Sequence, residues 1–369
     1  MFINFWYAAE LSSAITDKPV KARMLGQDFV LFRDTRSQVQ CLSNTCVHRG
    51  GSLADGKVRG NCIACPYHGW QFTGTGECTR IPSLGPKATI PGRARVDAYP
   101  TQERYGVVFV FLGDLPEDQR PPILEMPEWE QDGWQVLSEV FDWKVNFQRS
   151  VENSLDAPHA EFVHEFGSGQ GNGKVNGNAN EALTLEAEKS WVEERGEWST
   201  AHVIQTKTLV VEHGHIGISH TWTFLKFGAP EKPSYFRFYT FITPVDEDRV
   251  RRFFFHARNI LFADTMRNHL LEGNRKAEQE DRLTVEKLRP AVSGLGTAHE
   301  FMVEDDRIMI LYREKLRDWD ARGWRIDSDT VTRNARRVAY AIPSPARRQQ
   351  KGWVLDPVPL TPASAPSVS

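Results

Sequence analysis

The chain has 369 residues, 40% of them hydrophobic, which is enough for two domains with sizeable cores. A net charge of −3 excludes the strongly basic field with which many proteins bind nucleic acid or anionic membranes. Five cysteines, four of them between residues 41 and 65, do not indicate a disulfide framework and favour metal ligation in a reducing compartment. Because there is neither a run of roughly 20 apolar residues nor a signal-peptide pattern, we expect a cytoplasmic protein without a membrane span.

The first third of the chain has the pattern of an all-β domain. Short strand-like runs such as residues 29–32 and 106–112 alternate with glycine, aspartate and proline turns. The segment from 113 to 134 is rich in proline and acidic residues, which is typical of a connection between domains. We therefore predict an all-β domain over residues 1–115 and a linker over residues 116–138.

The rest of the chain predicts a mixed α+β domain over residues 139–343. Strand-like runs that suggest an antiparallel sheet are followed by helical patterns, at 202–211, 216–227, 235–245, 249–260, 262–288 and 304–318. The Gly/Asn-rich segment 166–182 predicts a loop, and an entry lid and an ordinary surface loop are both open interpretations. Proline, serine and alanine dominate residues 344–369, which predicts a flexible tail.

Four candidate metal ligands stand in two short pairs, Cys46 with His48 and Cys65 with His68, and sixteen residues lie between the pairs. A thiolate is a soft ligand and an imidazole a borderline one, so the candidates are zinc and an iron–sulfur cluster. Zinc modules usually pair like with like along the chain, whereas each pair here is mixed. Two thiolates and two imidazoles around [2Fe–2S] define a Rieske centre, which this spacing favours.

The segments C-V-H-R-G at 46–50 and C-P-Y-H-G-W at 65–70 resemble the Rieske domain of Rieske non-haem iron oxygenases. The resemblance implies that the two cysteines hold one iron and the two histidines the other. Respiratory Rieske proteins carry a disulfide cysteine three residues after the first histidine, where this chain has Gly51, so the oxygenase type fits better. The remaining cysteines are interpreted as ordinary buried thiols, namely Cys41, Cys62 and Cys78.

A second candidate metal motif is VENSLDAPHAEFVH at 151–164, which contains Asp156, His159 and His164. On an undistorted helix the two histidines would lie about 140° apart, so they could share one ion only if the helix is interrupted. Pro158 provides such an interruption. Asp156 as a helix N-cap and the histidines as ordinary polar residues are the competing interpretations, and these residues alone leave both open.

Beside the first motif, the pattern E-N-x-x-D-x-x-H-x4-H is similar to the mononuclear-iron motif of the same oxygenase family. The resemblance implies that His159 and His164 bind the iron. It also implies that Asp156 passes electrons from the Rieske histidine of a neighbouring subunit. Two histidines and one carboxylate form a facial triad that leaves coordination positions open for O2 and substrate.

The third ligand is a downstream carboxylate with two candidates. Asp281 is in the middle of a predicted helix, where a carboxylate on an apolar stripe is costly unless it is paired or bound to metal. The predicted stripe consists of Leu270, Ala277, Val285 and Leu288. Asp305 belongs to an acidic cluster that suits a helix start. The segment E-D-x4-E-x-x-R-P at 280–290 resembles the family's ligand helix, and we predict Asp281.

The resemblance covers about residues 4–320 and implies a fold and an assembly. The expected fold is α+β, with a β-sandwich-like Rieske domain followed by a helix-grip-like catalytic domain in which a curved antiparallel sheet surrounds helices. The expected assembly is a homotrimer, or a stacked hexamer, without a separate β subunit. In it, each cluster lies beside the mononuclear Fe(II) of a neighbouring chain.

The implied function is that of a terminal oxygenase that uses O2 to hydroxylate an apolar, aromatic or polycyclic small molecule. The outcome is insertion of one or two oxygen atoms, or loss of a methyl group. The sequence has neither a dinucleotide-binding fingerprint nor a plant-type ferredoxin motif, so the electrons should come from a separate NAD(P)H-dependent reductase, directly or through a ferredoxin. Two other classes remain open, an electron-transfer protein without oxygenase chemistry and a zinc-stabilised binding module.

Overall fold

The computed structural model describes residues 1–164 and 187–364, and the chain divides into two compact units. Unit 1 comprises Met1–Pro122, Thr243–Glu247 and Trp319–Ser369, and unit 2 comprises Ile123–Ile242 and Asp248–Asp318. The loop predicted at 166–182 lies outside the described residues. No helix in the described part of the chain is long and apolar enough to cross a bilayer.

Unit 1 begins with short strands that pair into three small antiparallel sheets. The strands are β1 (Phe5–Leu11), β2 (Val20–Met24), β3 (Gln27–Arg33), β4 (Val39–Ser43), β5 (Lys57–Arg59), β6 (Cys62–Ala64), β7 (Gln71–Thr73), β8 (Cys78–Arg80), β9 (Ala98–Tyr99), β10 (Thr101–Arg104) and β11 (Val107–Leu112). Their sheet orders are β1-β11-β10, β2-β3-β4-β9 and β5-β6-β7-β8. Strand β11 is fully buried along its length, as its unbroken apolar sequence VVFVFL requires. The predicted all-β character of this region is confirmed.

The sheet β5–β8 packs on a hydrophobic core that reaches both halves of the first metal motif. Cys46 and Cys65 belong to this core and are almost completely buried. Their neighbours in it include Leu42, Leu53, Ile63 and Phe72. The thiols of the motif are therefore held in a dry, apolar environment.

Most of the remaining elements build unit 2. They are β12 (Gln135–Trp143), α1 (Phe147–Ser154), α2 (Ala160–Val163), β13 (Lys189–Glu194), β14 (Ser199–Gln205), β15 (Leu209–Ile216), β16 (His220–Phe227), β17 (Ser234–Asp246), β18 (Arg249–Arg258), α3 (Asp264–Val285) and α4 (Arg307–Ala321). The seven strands form one antiparallel sheet in the order β12-β18-β17-β16-β15-β14-β13. The α+β architecture, with an antiparallel sheet and helices, is the predicted one.

One face of this sheet is directed at the helices, and we call it the inner face. His215 contacts the ring of Tyr312 on α4, and His256 contacts Asn274 on α3. Because side chains two residues apart on a strand share a face, these contacts fix which residues of each strand point inward. One row of directly opposed inner-face residues is His202, His213, Thr223 and Phe238.

The strand-like run predicted at 202–211 is wrong, because it contains a turn between β14 and β15. No glycine, proline or asparagine marks this turn in the sequence. The Thr206 hydroxyl replaces them: it accepts hydrogen bonds from the backbone N–H groups of Thr208 and Leu209, at 3.3 and 3.1 Å. A threonine that bonds its own backbone closes a turn without a special backbone conformation.

The buried face of α3 is largely polar, which corrects part of the predicted apolar stripe. Val285 is buried as predicted, but Asn274 and Glu278 are the other buried residues of the helix, and Leu288 lies beyond the helix end and is 39% exposed. Strand β18 supplies the partners: Nε and Nη2 of Arg252 donate to the two oxygens of the Glu278 carboxylate, at 3.1 and 3.2 Å, and the His256 ring bonds Asn274. Paired in this way, polar groups can be buried at little cost.

Residues around the predicted linker, 116–138, are partly structured. Strand β12 starts at Gln135, and Glu128 is almost completely buried. The Glu128 carboxylate accepts hydrogen bonds from the Tyr239 hydroxyl, at 2.5 Å, and from Arg237. We propose the domain boundaries expected from the sequence, with an all-β domain over 1–115, a linker over 116–138 and an α+β domain over 139–343.

Residues 344–364, expected from their composition to be part of a flexible tail, make specific buried contacts within unit 1. The Asp97 carboxylate is completely buried and accepts hydrogen bonds from the Ser344 hydroxyl and from Nε and Nη2 of Arg347, each at 2.7 Å. The composition of a segment indicates only its local tendency to be ordered or disordered. This segment is held in place by a carboxylate far away in the sequence, Asp97. Unit 1 also contains α5 (Ser328–Asn334), β19 (Tyr340–Ala341) and β20 (Asp356–Pro357).

Replacing Arg347 with alanine should lower the free energy of unfolding by about 3 kcal/mol or more, because it leaves a buried charge on Asp97 unpaired. Denaturation of the purified protein by urea measures the change. The neighbouring Arg348→Ala substitution is the matched control, since its ion pair with Asp114 is largely exposed and should contribute less than about 1 kcal/mol. Equal effects of the two substitutions would contradict the assigned role of the pair.

Candidate functional site

The two halves of the first metal motif form loops with the same backbone hydrogen bonds. The N–H of Cys46 donates to the carbonyl of the residue five positions later, at 2.9 Å, and Cys65 does the same at 2.8 Å. In each loop the residue four positions after the cysteine, Gly50 or Gly69, donates back to the cysteine carbonyl and has a φ near +70°. Glycine adopts that conformation without steric cost, which explains the glycine after each histidine-containing segment.

The loops bring all four predicted ligands of this centre together. The Nδ1 atoms of His48 and His68 lie 3.1 Å apart, with both rings exposed. The thiols of Cys46 and Cys65 are buried and interact directly, and burial together with this neighbour raises the pKa of Cys46 to about 12. Two thiols held against each other in an apolar core, opposite two convergent imidazole nitrogens, fit the cysteine side and the histidine side of a Rieske cluster.

Packing around the centre leaves no room for a larger residue at Gly51. A side-chain carbon there would lie 3.0 Å from the Cys65 sulfur. The Trp70 ring stacks on the His48 ring, with centroids 4.6 Å apart and an interplanar angle of 6°. All five cysteines are free: Cys41 and Cys78 are buried as predicted, while Cys62 is half-buried.

The second motif is a helix interrupted where the sequence predicts. Helix α1 ends at Ser154, and the single turn α2 begins only at Ala160. His159 precedes that turn, and His164 follows it in an extended conformation with φ −94° and ψ 136°. The break removes the 140° separation that a continuous helix would impose on the two histidines.

The interruption brings both imidazoles to one carboxylate of α3. Asp281 Oδ1 lies 3.2 Å from His159 Nε2 and 3.4 Å from His164 Nε2. One donor atom from each of the three residues lies within 4.8 Å of the others. Asp281 Oδ1 is buried and makes no well-aligned hydrogen bond in the described part of the chain. Two nitrogens and one oxygen aimed at a common point fit a mononuclear iron site with open positions.

The ionisation of the cluster also suits a cation. Burial acts to raise the pKa of Asp281, but the neighbouring His159 and His164 hold it below its ordinary value. Burial acts to lower the pKa of His159, but Asp281 and Asp156 keep it raised. These two pKa shifts favour the ionised form of the Asp281 carboxylate, which is the form that binds a cation.

Two further carboxylates lie behind the imidazoles, and one of them, Glu280, bonds a ring directly. Glu280 Oε2 lies 3.0 Å from His164 Nδ1, which leaves the other ring nitrogen directed at Asp281. Asp156 Oδ1 accepts from the backbone N–H of His159 at 3.4 Å and lies 4.0 Å from its Nδ1. Asp156 thus combines the turn-capping role that the sequence left open with a position beside a candidate ligand.

Asp305, the alternative third ligand, is not part of the cluster of three that the described residues form. It lies in the 3-10 turn Glu304–Asp306 before α4. Its charge acts on His202, whose pKa is lowered by burial and partly restored by Asp305. The arrangement places Asp281, not Asp305, with the two histidines.

Sequence reasoning missed several residues around the site. Glu280 was part of the quoted motif without a role, although its place next to Asp281 on a helix is the signal. His213 is buried near His159, and its Nε2 lies 3.1 Å from His202 Nδ1. The Ser190 hydroxyl bonds the other nitrogen of His202, at 2.7 Å. This chain of side chains crosses strands, so no local pattern predicts it.

Comparison with known proteins gives two matches to family models. The Rieske [2Fe-2S] domain matches residues 5–100, and the vanillate O-demethylase oxygenase C-terminal domain matches residues 143–322. The fold and the two donor sets thus define a two-domain protein with an iron–sulfur domain and an oxygenase-type domain. The chain belongs to the Rieske oxygenases, a family that uses a [2Fe–2S] cluster and mononuclear non-haem iron.

Individual relatives agree with this assignment. Chloroplastic chlorophyllide a oxygenase of Chlamydomonas reinhardtii is 39% identical over 44% of this chain and 24% of its own length. The 3-chlorobenzoate-3,4-dioxygenase oxygenase subunit of Comamonas testosteroni is 34% identical over 44% of this chain and 38% of its own length. The chain therefore matches less than half the length of these relatives. The solved structure of an NdmA mutant of Pseudomonas putida CBB5 with theobromine has the same fold, with a TM-score of 0.72 over 86% of this chain and 91% of that chain, at 22% identity.

Replacing Glu280 with glutamine should weaken iron binding at the second site by about 10- to 100-fold, since the His164 ring loses the carboxylate that orients it. Mononuclear iron can be titrated into chelator-treated protein and followed by metal analysis, with the visible spectrum of the cluster as an internal reference. Glu272→Gln, on an exposed turn of the same helix, is the control and should leave the affinity unchanged. An unchanged affinity in Glu280→Gln would show that the contact is incidental.

Proposed function

We propose that the chain is the terminal oxygenase component of a multicomponent system. It takes electrons from outside and uses O2 to oxidise a small organic molecule. The observation that carries this proposal is the convergence of His159, His164 and Asp281 on one point. A protein that only transfers electrons needs no second donor set, and a zinc-stabilised module needs neither donor set in this form.

When bound, the cluster supplies single electrons and the iron supplies open positions for O2 activation. The residues of the chain do the rest. Asp281, His159 and His164 would hold the ion, and Glu280 fixes the orientation of the His164 ring. The inner-face residues His202 and His213, of which His213 is near His159, are buried and so limit the access of bulk water.

The proposed path of electrons enters through the exposed imidazoles of His48 and His68 and leaves towards Asp156. We propose that these groups belong to neighbouring chains of a homotrimer, as in the family that the motifs resemble. The exposure of both Rieske imidazoles, and the partial exposure of the Asp156 side chain, are compatible with contacts to another subunit. The trimer, the reductase or ferredoxin partner and the cytoplasmic location all stay predictions.

The reaction outcome is proposed from the relatives. The family model for the second domain is described by an O-demethylase, and one relative is named for dioxygenation of 3-chlorobenzoate. An aromatic or other apolar small molecule is therefore the proposed substrate class, with hydroxylation or oxidative demethylation as outcomes. A turnover screen with a surrogate reductase, following substrate-dependent NADH use and product mass, tests the proposal directly.

The metal content separates this function from its rivals. Loaded protein should contain about three irons per chain, two with acid-labile sulfide and one without. Asp281→Ala should remove the single iron and abolish turnover while the cluster spectrum is kept. Asp305→Ala is the matched control and should retain the iron. A colourless protein with zinc and no sulfide would instead support the binding module. Loss of iron only in Asp305→Ala would show that the third ligand is Asp305 and that the assignment to α3 is wrong.

Asp156→Asn should separate the metals from the transfer of electrons between them. It keeps the size of the side chain and its bond to the His159 backbone, so both metal sites should load normally. Because it removes the carboxylate proposed to connect the two sites, we expect turnover to fall to a small fraction of the wild-type rate while both sites stay loaded. Single-turnover oxidation of the reduced cluster, followed by stopped-flow absorbance, is the measurement. A normal rate in Asp156→Asn would remove this residue from the path.

A further inference from the structure

Arg258 is a buried cation without a counter-ion in the described part of the chain. It ends strand β18 on the inner face and is completely buried. Its Nη2 donates to Gln135 Oε1 at 2.8 Å and its Nε to the Leu261 carbonyl at 3.4 Å. Nη1 is buried and has no hydrogen-bond partner among the residues that the structure describes. Two neutral acceptors do not offset the cost of burying a guanidinium, which is normally paired with an anion.

The positive charge of a neighbouring residue makes the burial of the Arg258 guanidinium more unfavourable. Burial lowers the pKa of Arg258, and its charged neighbour Arg267, at the start of α3, lowers it further. Arg252 faces inward from the same strand but is neutralised by Glu278. Within residues 1–164 and 187–364, no carboxylate forms an ion pair with Arg258. The inner-face carboxylates of the neighbouring elements are paired elsewhere, Glu278 with Arg252 and Glu139 with Arg275, so the charge of Arg258 is left to favour an anion.

A second unpartnered donor among the described residues belongs to Asn274, the hydrogen-bond partner of His256. His256 shares the inner face with Arg258, two positions along the strand, and its Nδ1 lies 3.1 Å from the Asn274 Oδ1. Bonding its carbonyl oxygen to the ring leaves the amide Nδ2 of Asn274 as a donor, and this buried atom has no partner among the described residues. Arg258 Nη1 and Asn274 Nδ2 are thus two buried donors, one on the residue bonded to the His256 ring and one on a residue whose charge acts on that ring. A carboxylate has two oxygens to accept from such donors.

Aromatic rings surround the donors. The His256 ring contacts the rings of Phe236 and Phe238, with centroids 4.9 and 4.5 Å apart. Phe238 in turn stacks on Phe254, at 5.8 Å. These three phenyl groups are only half-buried, so apolar surface remains available beside fully buried polar atoms. A buried polar end with an aromatic wall is the usual composition of a small-molecule site.

Two independent measures place this site relative to the candidate iron. Asn274 and Asp281 lie seven residues apart on α3, on the same side of the helix and about 10 Å apart along its axis. On the sheet, His213 lies near His159, and Phe238 lies in the same row two strands away. The distance across two strands is again about 10 Å. That separation corresponds to the length of a substituted benzoate.

From this geometry we propose that Arg258 and Asn274 bind the carboxylate of the substrate, with His256 as a positioning residue. The inference rests on the proposed oxygenase function and narrows its substrate class. The substrates are aromatic carboxylates whose oxidised group lies at the opposite end of the ring from the acid. The anion satisfies the buried cation, the phenyl groups contact the ring, and the remote substituent points towards His159, His164 and Asp281.

Calorimetry on the holoenzyme tests the proposal without turnover, with 4-methoxybenzoate as the probe and 4-methoxybenzamide as its neutral analogue. The wild-type protein should bind the acid at least about 10-fold more tightly than the amide, as expected for hydrogen bonds to a charged group. Arg258→Gln should weaken binding of the acid by about 10- to 100-fold and leave binding of the amide unchanged. Arg251→Gln is the matched control, because Arg251 points from the opposite face of the same strand to Asp142.

A second variant keeps the test valid if Arg258→Gln does not fold. Gln135→Glu places a carboxylate where the amide oxygen already accepts from Arg258, at 2.8 Å. It should raise the melting temperature of the ligand-free protein and weaken binding of the acid by about 10-fold or more, since the cation is then paired internally. Equal affinity of the wild type for acid and amide, no binding of the acid, or unchanged acid binding in Gln135→Glu would each overturn the proposal.

The Asp281→Asn variant separates this inference from the proposed function. It should lose mononuclear iron and turnover, yet bind 4-methoxybenzoate as the wild type does. Acid binding in a protein that never turns over an aromatic acid would contradict the oxygenase proposal alone. Turnover of neutral compounds without any preference for acids would contradict the carboxylate site alone.

Discussion

The candidate catalytic site depends on one break in one helix. His159 and His164 are separated by a spacing that a continuous helix would spread over two faces, and only the interval between α1 and α2 lets both rings reach Asp281 Oδ1. Such a break gives up intrahelical hydrogen bonds, so the flanking segments must be held from elsewhere. The surrounding packing of unit 2 can be understood as the means of holding them.

Buried ion pairs hold helix α1 in place. Glu152 accepts from Gln148, Ser293 and Arg313 at 2.7–2.8 Å. On α3, Glu278 is held by Arg252, whose guanidinium also donates to Ser150 of α1 and lies 4.0 Å from the centroid of the Trp143 ring. Bidentate and shared pairs of this kind fix geometry more strictly than apolar contacts do, which suits a site that must keep three donor atoms together.

The sequence predicted the parts of this protein whose chemistry is local. The two glycine-containing loops around Cys46 and Cys65, and the interrupted helix before His164, follow from spacing and residue type, and the structure has them. Asp281 was chosen for a reason that proved incomplete, since the buried residues of its helix include Asn274 and Glu278 besides the predicted Val285. The partners that make those polar residues tolerable lie on β18, and a single sequence does not reveal which strand meets which helix.

The same limit explains the other differences. The turn at Thr206 closes through a side chain, without the usual turn residues, and the segment after residue 343 is ordered by Asp97, almost 250 positions earlier. Residues that define the surroundings of the site, such as Glu280, His213 and His202, are recognised only when their distances are known. Strong motifs thus locate the chemistry, and tertiary contacts decide how it is supported.

The uncompensated charge of Arg258 has a consequence for evolution and engineering. A protein that buries a cation for a ligand is less stable empty than it could be, so substitutions that neutralise this position should be enriched in any selection for heat resistance alone. The same substitutions would remove selectivity. Stability and selectivity are therefore opposed at this residue, and a thermostable variant obtained without substrate present would be expected to discriminate poorly.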